Sequence, residues 1–226
     1  MRARADQQLT EAAVPPGDFR RRRDQAIGAR APGYAPLVAT ADPRPSFAGR
    51  VRTPPLLTFG HGTASRTLIA TLLHGVDAEA VVDVRTAPGS RRVPHVGRHE
   101  LSAWLPEEGI GYRWERRLGG FRTPAPDSPD TFWRNDSFRG YAGYSRAPEF
   151  HAALKELLDQ AAATRTAIMC SEAVWWRCHR RIIADYAVLV HQVSVLHLAH
   201  DGRLTEHLPT AGARLLDNGL LVYDAA

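Results

Sequence analysis

The sequence predicts an α/β fold: a mainly parallel sheet of about four to five strands, flanked by helices on both faces in a Rossmann-like three-layer arrangement, behind a disordered N-terminal extension. Three observations lead there. Short apolar, β-branched runs recur between residues 56 and 223 and alternate with stretches of helical period. Several of these runs are apolar throughout, as strands buried on both faces are. The first 53 residues show neither pattern and are dominated by Pro, Gly, Ala and Arg. The domain is therefore expected over residues 54–226, with 1–53 as a flexible tail.

Leu56-Leu57-Thr58-Phe59 reads as the first strand, closed by Gly60-His61-Gly62-Thr63. Thr63 or Ser65 can cap a helix over Thr67 to His74, with Gly75 as its stop. Ala80 to Arg85 is a second buried strand, ended by Ala87-Pro88-Gly89-Ser90. His99 to Glu108 places Leu101, Trp104 and Leu105 at helical spacing, and Ile110 to Trp114 reads as a short strand. Leu118 to Ser145 reads as irregular. Glu149 to Ala163 is the clearest helix, because Phe150, Ala153, Leu154, Leu157 and Leu158 share one face. Ala167 to Met169 is a third strand, Cys178 to Val190 a helix, Val193 to Leu198 a fourth strand, and Leu220 to Tyr223 a last short one.

Charge divides the chain. Residues 1–52 hold 10 Arg against 5 Asp and Glu, so the net charge of +5 lies entirely there, and residues 53–226 are neutral with 19 of each sign. A basic tail can bind polyanions nonspecifically, which leaves nucleic acid as a partner through the tail, while the neutral charge of residues 53–226 weighs against a nucleic-acid-binding domain. No run approaches the roughly 20 apolar residues that span a bilayer, and the start lacks the apolar core of a secretory signal. Two cysteines in 226 residues make no disulfide framework. A reducing cytoplasm is the expected location; the oligomeric state is not legible.

Three strands end in polar residues: Gly60-His61-Gly62, Asp83-Val84-Arg85 and Cys170-Ser171-Glu172. In open α/β sheets ligands bind beyond the carboxyl ends of the strands, so these groups should converge. Cys170 can be an inert core thiol or a thiolate nucleophile, and Glu172 a general base or the partner of Arg85 or Arg180. Asp83 and Arg85 share one strand face, where they can pair with each other. His61, between glycines, and His179 can move protons. Ser90, Arg139, Tyr141 and Arg180 complete the expected ligand-binding set. The stretch from Phe132 to Tyr144 interleaves aromatics and arginines, as a lid over a base or phosphate would, and Trp175-Trp176 would wall the same crevice. A metal is the weaker alternative. Cys170, Cys178 and His179, with His61 or Glu172, offer suitable donors. Yet the Cys-x7-Cys-His spacing matches no common zinc module, and on a helix Cys178 and His179 would point to different sides. No cofactor is firmly implied.

Gly60-His61, Asp83-Val84-Arg85, Pro88-x-Ser90, Pro94, Gly109-Ile110-x-Tyr112, Leu118-Gly119-Gly120, Arg139-Gly140-Tyr141, Cys170-x-Glu172 and Cys178-His179-Arg180 occur in this order over roughly residues 56–207. In this the chain resembles the DUF488 family. The resemblance implies an α/β fold and names no reaction. The chain departs from the family's pattern at Ala142-Gly143-Tyr144-Ser145, where an acidic residue and a methionine are usual, and in its N-terminal extension. The order of Asp-Val-Arg strand, cysteine-ended strand and helix is also similar to rhodanese-type sulfurtransferases, although their short cysteine loop is replaced here by one containing Trp175-Trp176.

The function expected is an enzyme or binding protein for a small anionic or nucleotide-like ligand, held by arginines near Cys170. If an enzyme, it would be a thiol-dependent hydrolase or transferase. A nucleic-acid-processing module and a noncatalytic sensor are the alternatives.

Overall fold

The computed structural model describes residues 54–224, within the unit Arg50–Ala226. The basic tail expected over residues 1–53 lies outside the described residues. Five strands run parallel: β1 (Leu56–Gly60), β2 (Ala80–Asp83), β3 (Gly111–Trp114), β4 (Thr166–Cys170) and β5 (Val195–Leu198). A short β6 (Leu204–Glu206) pairs antiparallel with β5, and the six stand in the order β3-β2-β4-β1-β5-β6.

The helices α1 (Arg66–Gly75) and α2 (Arg98–Glu107) cover one face; α3 (Asp136–Tyr144), α4 (Pro148–Ala163) and α5 (Arg180–Leu189) cover the other. Strand alternation assigns side chains to the two layers. Leu57, Phe59, Val81, Ala167 and Met169 pack with Ile69, Leu73, Leu101 and Leu105. Leu56, Val82, Val84, Ile168 and Cys170 pack with Phe150, Leu154, Leu157, Ile182 and Tyr186. The expected three-layer α/β architecture is thus the one found. Among the described residues no helix is long and apolar enough to cross a membrane.

β4 is inserted between β2 and β1, with Gly60 opposite Cys170 and Asp83 opposite Met169. The chain leaves β1 for α1 on one face and leaves β4 for α5 on the other. Two adjacent parallel strands whose connections diverge in this way form a switch point, and the crevice beyond their carboxyl ends is where such sheets bind ligands.

The structure differs from the sequence reading in four places. The 118–145 stretch contains α3, started by Asn135, whose side chain accepts from the N–H groups of Ser137 and Phe138. β6 adds a sixth strand, and a separate hairpin pairs β7 (Ala213–Leu215) with β8 (Leu221–Tyr223). The second strand stops at Asp83, before Arg85. The helix expected from Cys178 begins at Arg180, after a 3₁₀ turn over Trp175–Arg177.

Candidate functional site

Beyond the switch point lies a cavity of about 230 Å³, lined among others by Thr86, Gly120, Phe121, Phe138, Glu172 and Arg177 and floored by Cys170, Cys178 and His179. Cys170 is the last residue of β4. Cys178 is extended (φ −123°, ψ 149°) and His179 helical (φ −58°, ψ −17°), so the backbone turns between them. That break, which a continuous helix would lack, lets both side chains reach one point. One donor atom from each of Cys170, Cys178 and His179 lies within 4.8 Å of the others. His179 Nδ1 is 3.6 Å from Cys178 Sγ and 3.9 Å from Cys170 Sγ. His179 Nε2–H donates to the Val84 carbonyl at 3.0 Å, which leaves Nδ1 as a bare lone pair facing both sulfurs. Gly120 abuts the ring: a Cβ there would sit 3.0 Å from Nδ1.

Arg180 is 1% exposed. It donates to the Cys178 sulfur (3.4 Å), to the Thr58 hydroxyl (3.3 Å) and to the Glu172 carbonyl. No carboxylate lies within ion-pairing distance of it among the described residues. The two thiols are pulled apart in acidity. Burial raises that of Cys178, but a hydrogen bond from Cys170 and the charge of Arg180 win and hold it well below a free cysteine. Cys170, donating to Cys178 and itself buried, is pushed well above.

A polar chain runs from Arg180 through the interior. With both histidines neutral, the Thr58 hydroxyl donates to His197 Nδ1 (2.7 Å), His197 Nε2–H to His207 Nδ1 (3.0 Å), and His207 Nε2–H to Asp185 (2.9 Å). Asp185 also accepts from the Thr210 N–H and hydroxyl and from the Tyr223 hydroxyl. All five residues of the chain are buried. Burial and the neighbouring His207 lower the His197 pKa to about 3. Trp175 lies flat against His197, centroids 4.0 Å apart, so Trp175 and Trp176 border a neighbouring cleft rather than the sulfur cavity.

The remaining expected residues fall elsewhere. Asp83 takes Arg85 in a buried bidentate pair (2.6 and 2.8 Å), the blander of the two roles open to them. Arg85 further donates to the Val96 carbonyl and to His61 Nε2, so four of its five N–H donors are engaged within the protein, and it lines the cavity. His61 is buried against Arg85, donates from Nδ1 to Gly62, and does not line the cavity; burial and Arg85 lower its pKa to about 4. Glu172 pairs with neither Arg85 nor Arg180. Its carboxylate accepts from the Val174 N–H through one oxygen, and it lines the cavity. Ser90 caps a turn by accepting from the Val93 N–H. Arg139 pairs with Asp136 one helical turn away. Tyr141 is fully buried, donates to the Leu118 carbonyl and wedges its ring against His179. Ser90, Arg139 and Tyr141 do not line the cavity. The aromatics of 132–144 are spent on packing: Trp133 stacks on Phe138 and lies against Phe132 and Tyr223.

Sequence reasoning missed Arg177, which lines the cavity, is exposed, and pairs with no carboxylate among the described residues. It missed Phe121 as well, 88% exposed at the rim with a left-handed backbone (φ 58°) that is costly for a bulky residue. The pattern of Arg177 beside Cys178-His179 was visible, but among 28 arginines it carried no distinguishing mark.

Fold and site together define an α/β switch-point domain with a sulfur–imidazole cluster in its crevice. The model of the family described as "Domain of unknown function DUF488" matches residues 65–187, more than half of the chain, and the chain belongs to that family. The match runs from the cap of α1 into α5, narrower than the motif order suggested; it contains the sulfur cluster and leaves out His61, His197 and His207. No curated protein matches, and no solved structure does.

Proposed function

We propose that this chain is a hydrolase or transferase for a small anionic substrate, bound in the switch-point cavity with its reactive group over Cys170, Cys178 and His179. The observation that carries this reading is the content of the cavity. It brings a sulfur–imidazole cluster, an acid (Glu172) and an uncompensated cation (Arg177) within one space of about 230 Å³. A pocket of this size takes a small molecule, not a polymer. Arg177 at the mouth supplies the charge that selects an anion. Glu172, with one oxygen held by Val174 N–H, is the group placed to move a proton. Phe121 and Phe138 give the apolar walls. Arg85, held in a bidentate pair by Asp83, stiffens the wall. The reading needs both thiols reduced, as a reducing cytoplasm keeps them. The nucleic-acid reading draws on residues 1–53, outside the described residues, and on the aromatic and arginine residues of 132–144, whose Trp133 is packed against Phe132, Phe138 and Tyr223.

Calorimetric titration with inorganic phosphate, pyrophosphate and short dicarboxylates tests it. Binding of at least one of these should weaken at least tenfold in Arg177→Ala and stay unchanged in Arg134→Ala, an exposed arginine outside the cavity. Equal binding in the two variants, or none in the wild type, sinks the reading.

A further inference from the structure

We propose that Cys170, Cys178 and His179 are three ligands of a divalent, thiophilic metal ion, best matched by Zn²⁺, with a fourth position open to the cavity. Distance, direction and charge agree on this. A tetrahedral zinc with Zn–S near 2.3 Å and Zn–N near 2.05 Å needs a sulfur-to-nitrogen edge of about 3.6 Å. The two edges here are 3.6 and 3.9 Å. The backbone break between Cys178 and His179 removes the geometric objection raised by their adjacency.

Direction follows from the second shell. Metal-bound imidazoles hand their other N–H to a carbonyl or carboxylate, which fixes ring and tautomer. His179 does this with the Val84 carbonyl at the end of β2, and Nδ1 is left to the sulfurs. The three ligands come from the end of β4 and the corner before α5, and Val84 supports them from next to β4. Such a site is rigid before any ion enters.

Charge follows from Arg180. A buried guanidinium without a carboxylate is expensive unless another anion faces it, and the anion in reach is sulfur: Nε–H points at Cys178 Sγ from 3.4 Å. Two thiolates around a divalent ion give a neutral centre. Arg180 then donates an N–H···S bond to one of them, and through Thr58, His197 and His207 it is joined by hydrogen bonds to Asp185.

Three protein ligands and one open position are the pattern of a catalytic rather than a structural zinc. The fourth position opens to the cavity, and Glu172 lines the same space. For that position alone the inference rests on the substrate reading above. The chemistry supplied there is a metal-bound water or the polarisation of an anionic substrate's oxygen.

The test uses the full chain. Metal is counted by mass spectrometry in protein purified without chelator, and both thiols are counted by titration. The ion is then removed, the protein kept reduced, and Co²⁺ added as a spectroscopic probe. One metal per chain and thiolate-to-cobalt charge-transfer bands are expected. The bands should vanish in Cys178→Ser and weaken at least tenfold in apparent affinity in His179→Gln, with circular dichroism checking each fold. Glu172→Gln, which keeps all three ligands, should bind cobalt like the wild type and guards against misfolded ligand variants. Reduced wild-type protein that carries no metal and gives no charge-transfer band overturns the site. So does cobalt binding that survives the loss of Cys178. Cobalt bound with a spectrum unmoved by phosphate, pyrophosphate or dicarboxylate upholds the metal and sinks the anionic-substrate reading alone; anion binding without cobalt binding does the reverse.

Discussion

Arg180 carries a positive charge where water does not reach, and among the described residues no carboxylate stands opposite. Its geometry explains a glycine. At Gly60 a Cβ would overlap the Glu172 carbonyl, the same group that accepts from Arg180. Backbone cannot move aside as a side-chain tip can. Gly60→Ala should therefore cost about 3 kcal/mol, the upper range for overpacking a tight interior, read as a lower urea midpoint with unchanged slope. A loss under about 0.5 kcal/mol, the scatter of neutral surface changes, would show that the β1–β4 ends are looser than described. At this scale the sequence was a partial guide. Cys170, Cys178 and His179 stood out because reactive side chains are rare and here were dense. That Arg180 has no carboxylate partner among the described residues, and that Arg85 is paired with Asp83, are facts of three-dimensional neighbourhood that no spacing encodes.

Among the elements, the strands were the most legible. β1, β2 and β4 are buried along their whole length, so they read as unbroken apolar runs. α4 was legible for the opposite reason, its six buried residues marking one side of a helix that Pro148 opens. α3 was not. Asp136-Ser-Phe-Arg-Gly-Tyr-Ala-Gly-Tyr holds two glycines, poor helix formers, and owes its shape to Asn135 at its start and to Tyr141 packed into the core. A cap that satisfies two N–H groups should matter most in such a marginal helix. Asn135→Ala is expected to cost about 1 kcal/mol in chemical denaturation while leaving cobalt binding intact, because α3 supplies the cavity wall and none of the three donors. Loss of the cobalt bands in this variant would mean that α3 holds His179 in place. β6 and β7 were missed because they are largely exposed and carry no apolar run, unlike the equally short but buried β8.

The whole molecule inherits an acid sensitivity from two histidines folded in neutral form. His61 is lowered to about 4, chiefly by burial, and His197 to about 3, again chiefly by burial. The unfolded chain binds these protons near pH 6.5, before the native state does. Their contribution to stability is complete above pH 6.5 and is lost as pH falls, until about pH 4 for His61 and about pH 3 for His197. Each group can tilt the stability curve by at most about 1.4 kcal/mol per pH unit within its window. Urea midpoints should thus drop between pH 7.5 and pH 5, and His61→Gln should flatten the drop. A midpoint independent of pH over that range would place His61 in water.

The central position of β1 sets a timetable for assembly. The first strand among the described residues finds its neighbours more than a hundred residues later, at Ala167 and at Leu196. Contacts separated so widely must close a long loop before they return any stabilisation, and chains rich in them fold slowly. The sulfur cluster is completed only at that closing step, since Thr58, which steadies Arg180, arrives with β1. A nascent chain therefore displays β1 unpartnered until β4 has been made, and the crevice comes into being only after that.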